Sequence, residues 1–529
     1  MFWFSDDLER EELESLARAA GYAGLDILTL ALTPGELQVK VLSPLTLPLG
    51  EGSEPYHTIL LVYGFPGRAG SEGGWSAPAL PGLPPSAAHL FDLLAGNLSS
   101  QGSLFVAGPP SHLPHFGLEL EKRGFTFKYW YAVEWQMETS PAVGGLPTVH
   151  LGVLHYVRRL ARVTIAKVRI PHQYCRFCGE PLADWGGKKA SRNPAGRVIS
   201  DVWLQLDAWQ DRHDWRREVL RRLLSLAAPA SSSCPPRALL ARLIMPVSAA
   251  AAPASRNGGL PERPGTGEVP RDTILLGDIL EVIRQLPAES VDLAFADPPY
   301  NLDKRYNQYE DDRHDEEYLA WCNQWLQEYV RLLKPGGSLF VLNLPKWAVH
   351  HAVFLDGLPE MRRLNWIAWD ALSEPRGRVM PAHYALLFYS KGPLPRHFHP
   401  GRAQVLPRGY CFRGKCVKER AGKVPAAELN DIWSDVHRIK HRRDRDEHPC
   451  QLPLRLMERI ISIASDEGDL VFDGFMGTGS TALAARRLGR HYLGIEIDPA
   501  YIAIARAKLE QEALQLGLFR GDTLCQACQ

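Results

Sequence analysis

The tetrad Asp297-Pro298-Pro299-Tyr300 limits the architecture more than any other stretch of the chain. The residues before it, Val291-Asp292-Leu293-Ala294-Phe295-Ala296, make a short, mostly apolar run that Pro-Pro stops at once. That is the pattern of a buried strand. Ligands of open α/β sheets bind beyond the carboxyl ends of the strands, where this tetrad falls. Proline stiffens a loop and donates no N–H, so the Asp297 carboxylate and the Pro298 carbonyl become fixed acceptors beside the flat ring of Tyr300. Such a set suits a planar amine with two donors and a π face, as a nucleobase carries. Four residues taken alone fit a strand-ending turn with a solvated Asp equally well.

The surroundings decide in favour of a site. Residues 272–276 read as a strand ending at Gly277-Asp278, followed by a short helix over 279–286. Residues 316–334 place Leu319, Cys322, Leu326, Tyr329 and Leu333 on one face of a helix. Pro335-Gly336-Gly337 ends it, and Ser338–Leu342 is the next strand. Alternating helices and strands predict a mostly parallel sheet. Further on, Leu470-Val471-Phe472-Asp473 reads as a strand and Gly474–Thr481 as a glycine-rich turn that opens a helix. Tyr492–Glu496 is another strand, with Glu496 19 residues beyond Gly477. Glycines admit a ligand close to the backbone and a helix N-terminus offers free N–H groups. An acid at this distance is placed to accept ribose hydroxyls. NAD and S-adenosylmethionine both fit.

Taken together these motifs resemble the N6-adenine/N4-cytosine DNA methyltransferases. The resemblance runs from Gly277-Asp278 through Asp297-Pro298-Pro299-Tyr300-Asn301, Asp431-Ile432-Trp433 and His448-Pro449-Cys450-Gln451-Leu452-Pro453 to Asp473–Gly479 and Glu496. Catalytic loop first and cofactor loop last is similar to the permuted β group of that family. Two positions depart: Gly474 stands where the family usually has proline, and Leu452 where it often has lysine. The resemblance implies a doubly wound, mostly parallel Rossmann-like methyltransferase sheet over 270–529, a recognition region near 371–447, and S-adenosyl-L-methionine as cofactor. Asp473, Phe475, Gly477, Gly479, Ser480 and Thr481 would hold its methionine part, with His448 and Gln451 lining that end. Glu496 would take the ribose and Asp278 the adenine. Asp297, Pro298, Pro299 and Tyr300 would be catalytic, acting on a base flipped out of double-stranded DNA. Asp297 followed by Asn301 points to adenine N6. Cytosine N4, an RNA or glutamine side-chain methyltransferase, and a catalytically dead nucleic-acid-binding module are the alternatives. The implied class is a site-specific enzyme of restriction-modification type, its restriction partner unknown.

DNA contact is expected at 396–447. From Arg396 to Lys423 there are eight Lys/Arg and one acid, Glu419, with Phe398, Tyr410 and Phe412 interleaved. The whole chain balances 60 basic against 60 acidic residues, so any basic surface must be local.

The first half carries an echo of the second. Gly102-Ser103-Leu104-Phe105-Val106 returns as Gly337–Val341, Tyr174-Cys175 as Tyr410-Cys411, and Ser200-Asp201-Val202-Trp203 as Asn430–Trp433, at separations of 230 to 236 residues. Residues 1–226 are therefore read as a degenerate methyltransferase-like copy. It has Tyr63-Gly64-Phe65-Pro66 in place of the acidic tetrad and no glycine turn followed by helix and acid. The Ala/Pro/Ser-rich stretch 227–269 is read as a flexible linker. Arg216, Arg217, Arg221 and Arg222 are expected to contact DNA or brace the recognition region, in an internal pseudo-dimer that is monomeric in solution; an unrelated tethered α/β domain is the alternative. Nine cysteines and no basic, apolar leader imply a reducing cytoplasm, with no membrane partner. Cys175-x2-Cys178-Gly179 is half a zinc knuckle. Cys411 with Cys416, or Cys525 with Cys528, would complete it; spacing does not choose, and reduced thiols without metal fit equally well.

Overall fold

The computed structural model of the chain describes residues 10–32, 39–41, 55–64, 85–134, 143–159, 161, 163, 165–182, 193–204, 214–227, 236–244, 268–302, 312–371, 378–403, 405, 407–411, 413–424, 427–438 and 451–520. Among these, two eight-stranded sheets are built, one from each half of the chain.

The second half contributes β11 (Thr273–Leu276), β12 (Val291–Ala296), β13 (Leu333–Asn343), β14 (Met361–Asp370), β15 (His383–Lys391), β16 (Ile432–Trp433), β17 (Leu470–Asp473) and β18 (His491–Glu496). Its helices are α5 (Ile279–Ile283), α6 (Asp315–Leu332), α7 (Pro345–Asp356), α8 (Gly414–Arg420), α9 (Leu454–Ala464), α10 (Ser480–Arg487) and α11 (Pro499–Arg520). The order is β11-β18-β17-β12-β13-β15-β14-β16. The first five strands run parallel, and β15 is antiparallel to both β13 and β14. All six residues of β12 are buried, as its apolar run requires.

The first half contributes β1 (Gly24–Leu32), β2 (Val39–Val41), β3 (Tyr56–Gly64), β4 (Leu98–Gly108), β5 (Phe125–Glu134), β6 (His150–Arg158), β9 (Val202–Trp203) and β10 (Arg237–Ile244). β7 (Arg169–Ile170) and β8 (Arg197–Val198) form a small separate ribbon. Its helices are α1 (Arg10–Ala19), α2 (Pro85–Asn97), α3 (Leu113–Lys122) and α4 (Asp214–Ala227). The order is β2-β1-β10-β3-β4-β6-β5-β9. From the second position on, each strand has a counterpart of the same direction in the other sheet. Even the irregularities coincide: register shifts at Tyr56/Thr58 and Phe127/Tyr129 match those at Val291/Leu293 and Arg363/Asn365. Trp203 and Trp433 each donate the indole N–H to the carbonyl three residues back (2.6 and 2.8 Å), and each lies under an arginine, Arg222 and Arg459.

One expectation is corrected. The stretch 227–269 is not a linker throughout: Arg237–Ile244 is a strand inserted between β1 and β3, and residues 245–267 lie outside the described ones. The Ala/Pro/Ser background hid it, since Leu239, Leu240 and Ala241 are core residues. Among the described side chains of the basic run of α4, only Arg222 is turned into the core; Arg217 and Arg221 stay part-exposed in ion pairs. Arg222 is buried on Trp203, Arg217 pairs with Glu12 (2.7 Å) and Arg221 with Glu218 (2.6 Å).

The halves join through equivalent residues. Trp130 of β5 and Trp366 of β14, each sixth in its strand, stack at 3.8 Å between centroids and 7° between planes. α3 packs on α7. Asp201 Oδ1 accepts the Ala382 and His383 N–H groups (2.7 and 2.9 Å), while Asp431 Oδ1 accepts that of Val149 (2.8 Å) and its other oxygen faces His150 at 3.1 Å. Each half thus caps the start of the other's antiparallel strand with a buried aspartate. One buried apolar cluster runs through both halves.

Replacing Asp201 by Ala leaves two buried N–H groups without acceptors, each costing about 1–3 kcal/mol. Urea unfolding of Asp201→Ala is expected to show a loss on the order of 2–4 kcal/mol, with a smaller loss for Asp431→Ala. Unchanged midpoints for both would mean that the carboxylates do not hold the interface.

Candidate active site

Strand register brings the site together. Leu276 of β11 stands opposite Glu496 of β18, Gly494 of β18 opposite Asp473 of β17, and Asp473 opposite Phe295 of β12. These strands are parallel, so their carboxyl ends share one edge of the sheet. Asp278, Glu496, Asp473 and Asp297 follow each other along it, one acid per strand at a spacing of about 4.8 Å between strands.

The turn after β17 is built for close approach. Gly477 and Gly479 have φ of +53° and +82°, conformations that favour glycine. A Cβ on Gly479 would come within 2.7 Å of the Ala505 Cβ. α10 starts directly after it, so its first-turn N–H groups point to the same edge. Glu496 is buried and accepts the Gly477 and Asp498 N–H groups (2.7 and 2.9 Å). Burial raises its pKa, against those hydrogen bonds. Asp473 accepts the Phe475 N–H (2.9 Å) and the Thr481 hydroxyl (2.5 Å), and burial pushes its carboxyl up to about 7. The Ser480 hydroxyl donates to the Leu452 carbonyl (3.3 Å), which draws the segment holding Gln451 against the start of α10. Phe475 packs edge-on against Trp321 and Trp325. Asp278 caps α5 through the Leu280 N–H (2.8 Å). His448 lies outside the described residues.

On the other side of β17, Tyr300 is buried and its hydroxyl donates to Asp297 Oδ1 at 2.5 Å. The Tyr300 hydroxyl thus fixes one oxygen of the carboxylate. The Pro299 carbonyl accepts from the Tyr318 hydroxyl (2.6 Å), and the Tyr300 carbonyl from the Trp347 indole (2.8 Å). Asn343, at the carboxyl end of β13, donates to Tyr318 (3.1 Å). Asn301 takes φ +53°, turning the chain away. Tyr384 stands 5.8 Å from the Tyr300 ring and accepts from Arg438 (3.0 Å). Tyr318, Asn343, Trp347, Tyr384 and Arg438 escape motif reading because they meet the tetrad only through the fold.

The basic stretch 396–423 is partly turned inward. Arg420 is buried under Tyr410 and Arg408 pairs with Glu134, while Lys415 stays exposed. Cys175 and Cys178 are joined by Cys411 and Cys416. Cys525 and Cys528 lie outside the described residues.

The fold and its ligand edge define a Rossmann-like α/β sheet of the methyltransferase class. Residues 291–507 match the DNA methylase family of N6/N4 methyltransferases. The type II methyltransferase M.BamHI of Bacillus amyloliquefaciens is 36% identical over 243 residues, 44% of this chain and 56% of that protein, so the match spans little more than half of that relative. M.HpaI of Haemophilus parainfluenzae is 30% identical over 242 residues, 45% of this chain and 74% of that protein. The Thermus thermophilus protein TTHA0409, crystallised with S-adenosyl-L-methionine, is 27% identical, covers 45% of this chain and 93% of its own, and has a TM-score of 0.32. The chain belongs to the N6/N4 DNA methylase family. No described helix is long and apolar enough to cross a membrane.

The elevated Asp473 pKa fixes a pH dependence. The unfolded chain releases this proton near 3.8 and the folded protein near 7, so between those values the folded state binds more protons and stability falls as pH rises, levelling above 7. Urea unfolding from pH 4 to 8 should show wild type losing on the order of 2–4 kcal/mol relative to Asp473→Asn. Parallel curves would show Asp473 to be ionised throughout.

Proposed function

We propose that the chain is an S-adenosylmethionine-dependent DNA methyltransferase acting on the exocyclic amine of a flipped base, adenine N6 first and cytosine N4 second. The observation that carries the reading is that Asp297 and the glycine turn occupy neighbouring parallel strands, at the same edge of the sheet. The residues fit the cofactor: left-handed glycines leave room for it, α10 offers N–H groups for a carboxylate, and buried Glu496 is an acceptor for ribose. When bound, the cofactor supplies an electrophilic methyl group on a sulfonium sulfur.

The chain's own task is to make a poor nucleophile better. The base nitrogen's lone pair is delocalised into the ring. Asp297 and the Pro298 carbonyl accept its two N–H bonds, drawing the nitrogen towards tetrahedral geometry. Positive charge that would grow on the nitrogen as it takes the methyl group would lie beside the Asp297 carboxylate, which the Tyr300 hydroxyl holds in place. A proton then leaves the nitrogen. Extruding the base costs roughly a few kcal/mol. Asn301 following the tetrad favours adenine, and the Tyr384–Arg438 pair brings the expected recognition region to the tetrad's edge.

The first half supports a second part of the reading, that of a degenerate copy forming an internal pseudo-dimer on double-stranded DNA. β10 occupies the position of β17 and α1 packs on α4 as α10 packs on α9. Yet α1 begins at Arg10 and β10 ends at Ile244, so the two sides of any cofactor turn belong to opposite ends of the unit. It is left to brace the catalytic half and DNA.

In radiolabel transfer to DNA, Asp297→Ala should abolish activity while keeping cofactor affinity by calorimetry. Glu496→Ala should instead weaken that affinity by about 1–3 kcal/mol. Substantial turnover by Asp297→Ala would refute the assignment, and sequencing of methylated DNA identifies the base. Full-length protein should scatter light as a monomer and titrate with one cofactor per chain; two cofactors per chain would refute the pseudo-dimer.

A further inference from the structure

Four cysteines from the two halves converge on one point of their interface. Cys175 and Cys178 lie on a tight turn between β7 and β8, closed by the Gly179 N–H on the Cys175 carbonyl (2.9 Å), with Gly179 at φ +68°. Cys411 precedes α8 and Cys416 lies within it. All four sulfur atoms fall within 4.8 Å of one another. The short separations cross between halves: Cys175 to Cys416 is 3.7 Å and Cys178 to Cys411 is 3.5 Å. Three of the four residues are buried and Cys178 is exposed.

These distances have a specific chemistry. Metal–sulfur bonds of about 2.3 Å in a tetrahedron give sulfur–sulfur edges of about 3.8 Å, close to both separations. Thiols are weak hydrogen-bonding groups, so nothing in their mutual contact accounts for gathering four of them from positions so far apart in the chain. The surroundings suit thiolates. The Cys411 N–H points at the Cys175 sulfur (3.3 Å), the kind of outer bond that steadies a metal-bound thiolate. Buried Arg420 reaches the Cys411 carbonyl (3.4 Å), and Arg413 stands 3.4 Å from Glu180 across the interface. The turn is also bound to the second half through the Arg176 N–H on the Gly409 carbonyl (2.9 Å), and Lys423 stands over Phe177 at 5.7 Å.

We propose that Cys175, Cys178, Cys411 and Cys416 form a closed tetrahedral zinc site that ties the first half to the recognition region of the second. Four thiolates leave no open coordination position, so the ion is structural. It takes no part in methyl transfer, and the proposal stands whichever base is methylated.

Full-length protein purified under reducing conditions without chelator should carry one zinc per chain by elemental analysis. Cys411→Ser/Cys416→Ser should carry almost none, and Cys178→Ser should lose most of it. If the serine variants fail to fold, wild type is treated with a chelator: zinc release should lower the melting temperature and expose the turn around Cys178 to protease, and added Zn2+ should reverse both. Absence of stoichiometric metal, iron in place of zinc, zinc retained by the double variant, or complete release with no change in melting or cleavage would each overturn the proposal.

Discussion

The register of β12 against β17 is the constraint from which the rest of the site follows. Phe295 lies opposite Asp473, so the two strands finish together and the chain leaves each in a loop of the opposite kind. After β12 it enters a proline-stiffened set of acceptors; after β17 it enters a glycine turn that can approach a ligand. A slip of one residue would turn Asp473 and the whole alternation of β17 to the other face of the sheet. Burial on both faces fixes the register, because every residue of β12 and β17 is in the core. The acids at the edge therefore follow or end buried strands, and desolvation there raises the Asp473 and Glu496 pKa values. Their orientation is set before any ligand arrives, as electrostatic preorganisation requires.

From the second strand on, the same order appears twice, and beyond the edge strand, antiparallel in β2 and parallel in β11, the halves differ in where the chain is cut. In the second half β17, its glycine turn and α10 are continuous. In the first, the counterpart strand β10 comes last and the counterpart helix α1 first. The core is indifferent to this, since packing depends on which strands are neighbours, and the order is shared. The turn is not indifferent: a loop whose two sides lie at opposite ends of a unit has no covalent continuity to shape it. What the first half keeps is the interface, with Trp130 on Trp366 and aspartates that each cap the other half's strand.

Much of this was legible in the sequence, for physical reasons. The strands around Asp297 and Asp473 are short apolar runs stopped by proline or glycine, the strongest local punctuation there is. The echo of Ser200–Trp203 in Asn430–Trp433 was visible as a pattern, but its purpose was not: Asp201 and Asp431 act across the interface, on backbone groups far away along the chain. β10 was missed because eight residues with two arginines, set in a long Ala/Pro/Ser background, read as linker until neighbours on both sides bury them. The basic runs are only partly surface. A count of lysines and arginines cannot see that Arg222 and Arg408 turn inward to pair with Glu218 and Glu134. Cysteine spacing proposed a half-site, and only the contact between halves brings the second pair to it.

Gly474 shows how a departure from the family pattern is absorbed by the fold. Where proline is usual, this chain has a residue whose N–H donates to the Tyr329 hydroxyl (2.7 Å), and that hydroxyl donates to the Phe295 carbonyl (3.2 Å). A Cβ at 474 would come within 2.6 Å of the same oxygen and 2.4 Å of the Ile279 side chain. Proline would add a ring there and remove the donor. Glycine at 474 and tyrosine at 329 are thus two parts of one solution. Through Tyr329, α6 clasps the end of β12, just before Asp297, and the start of the turn after β17, so that one buried hydroxyl couples the position of the Asp297 loop to that of the glycine turn.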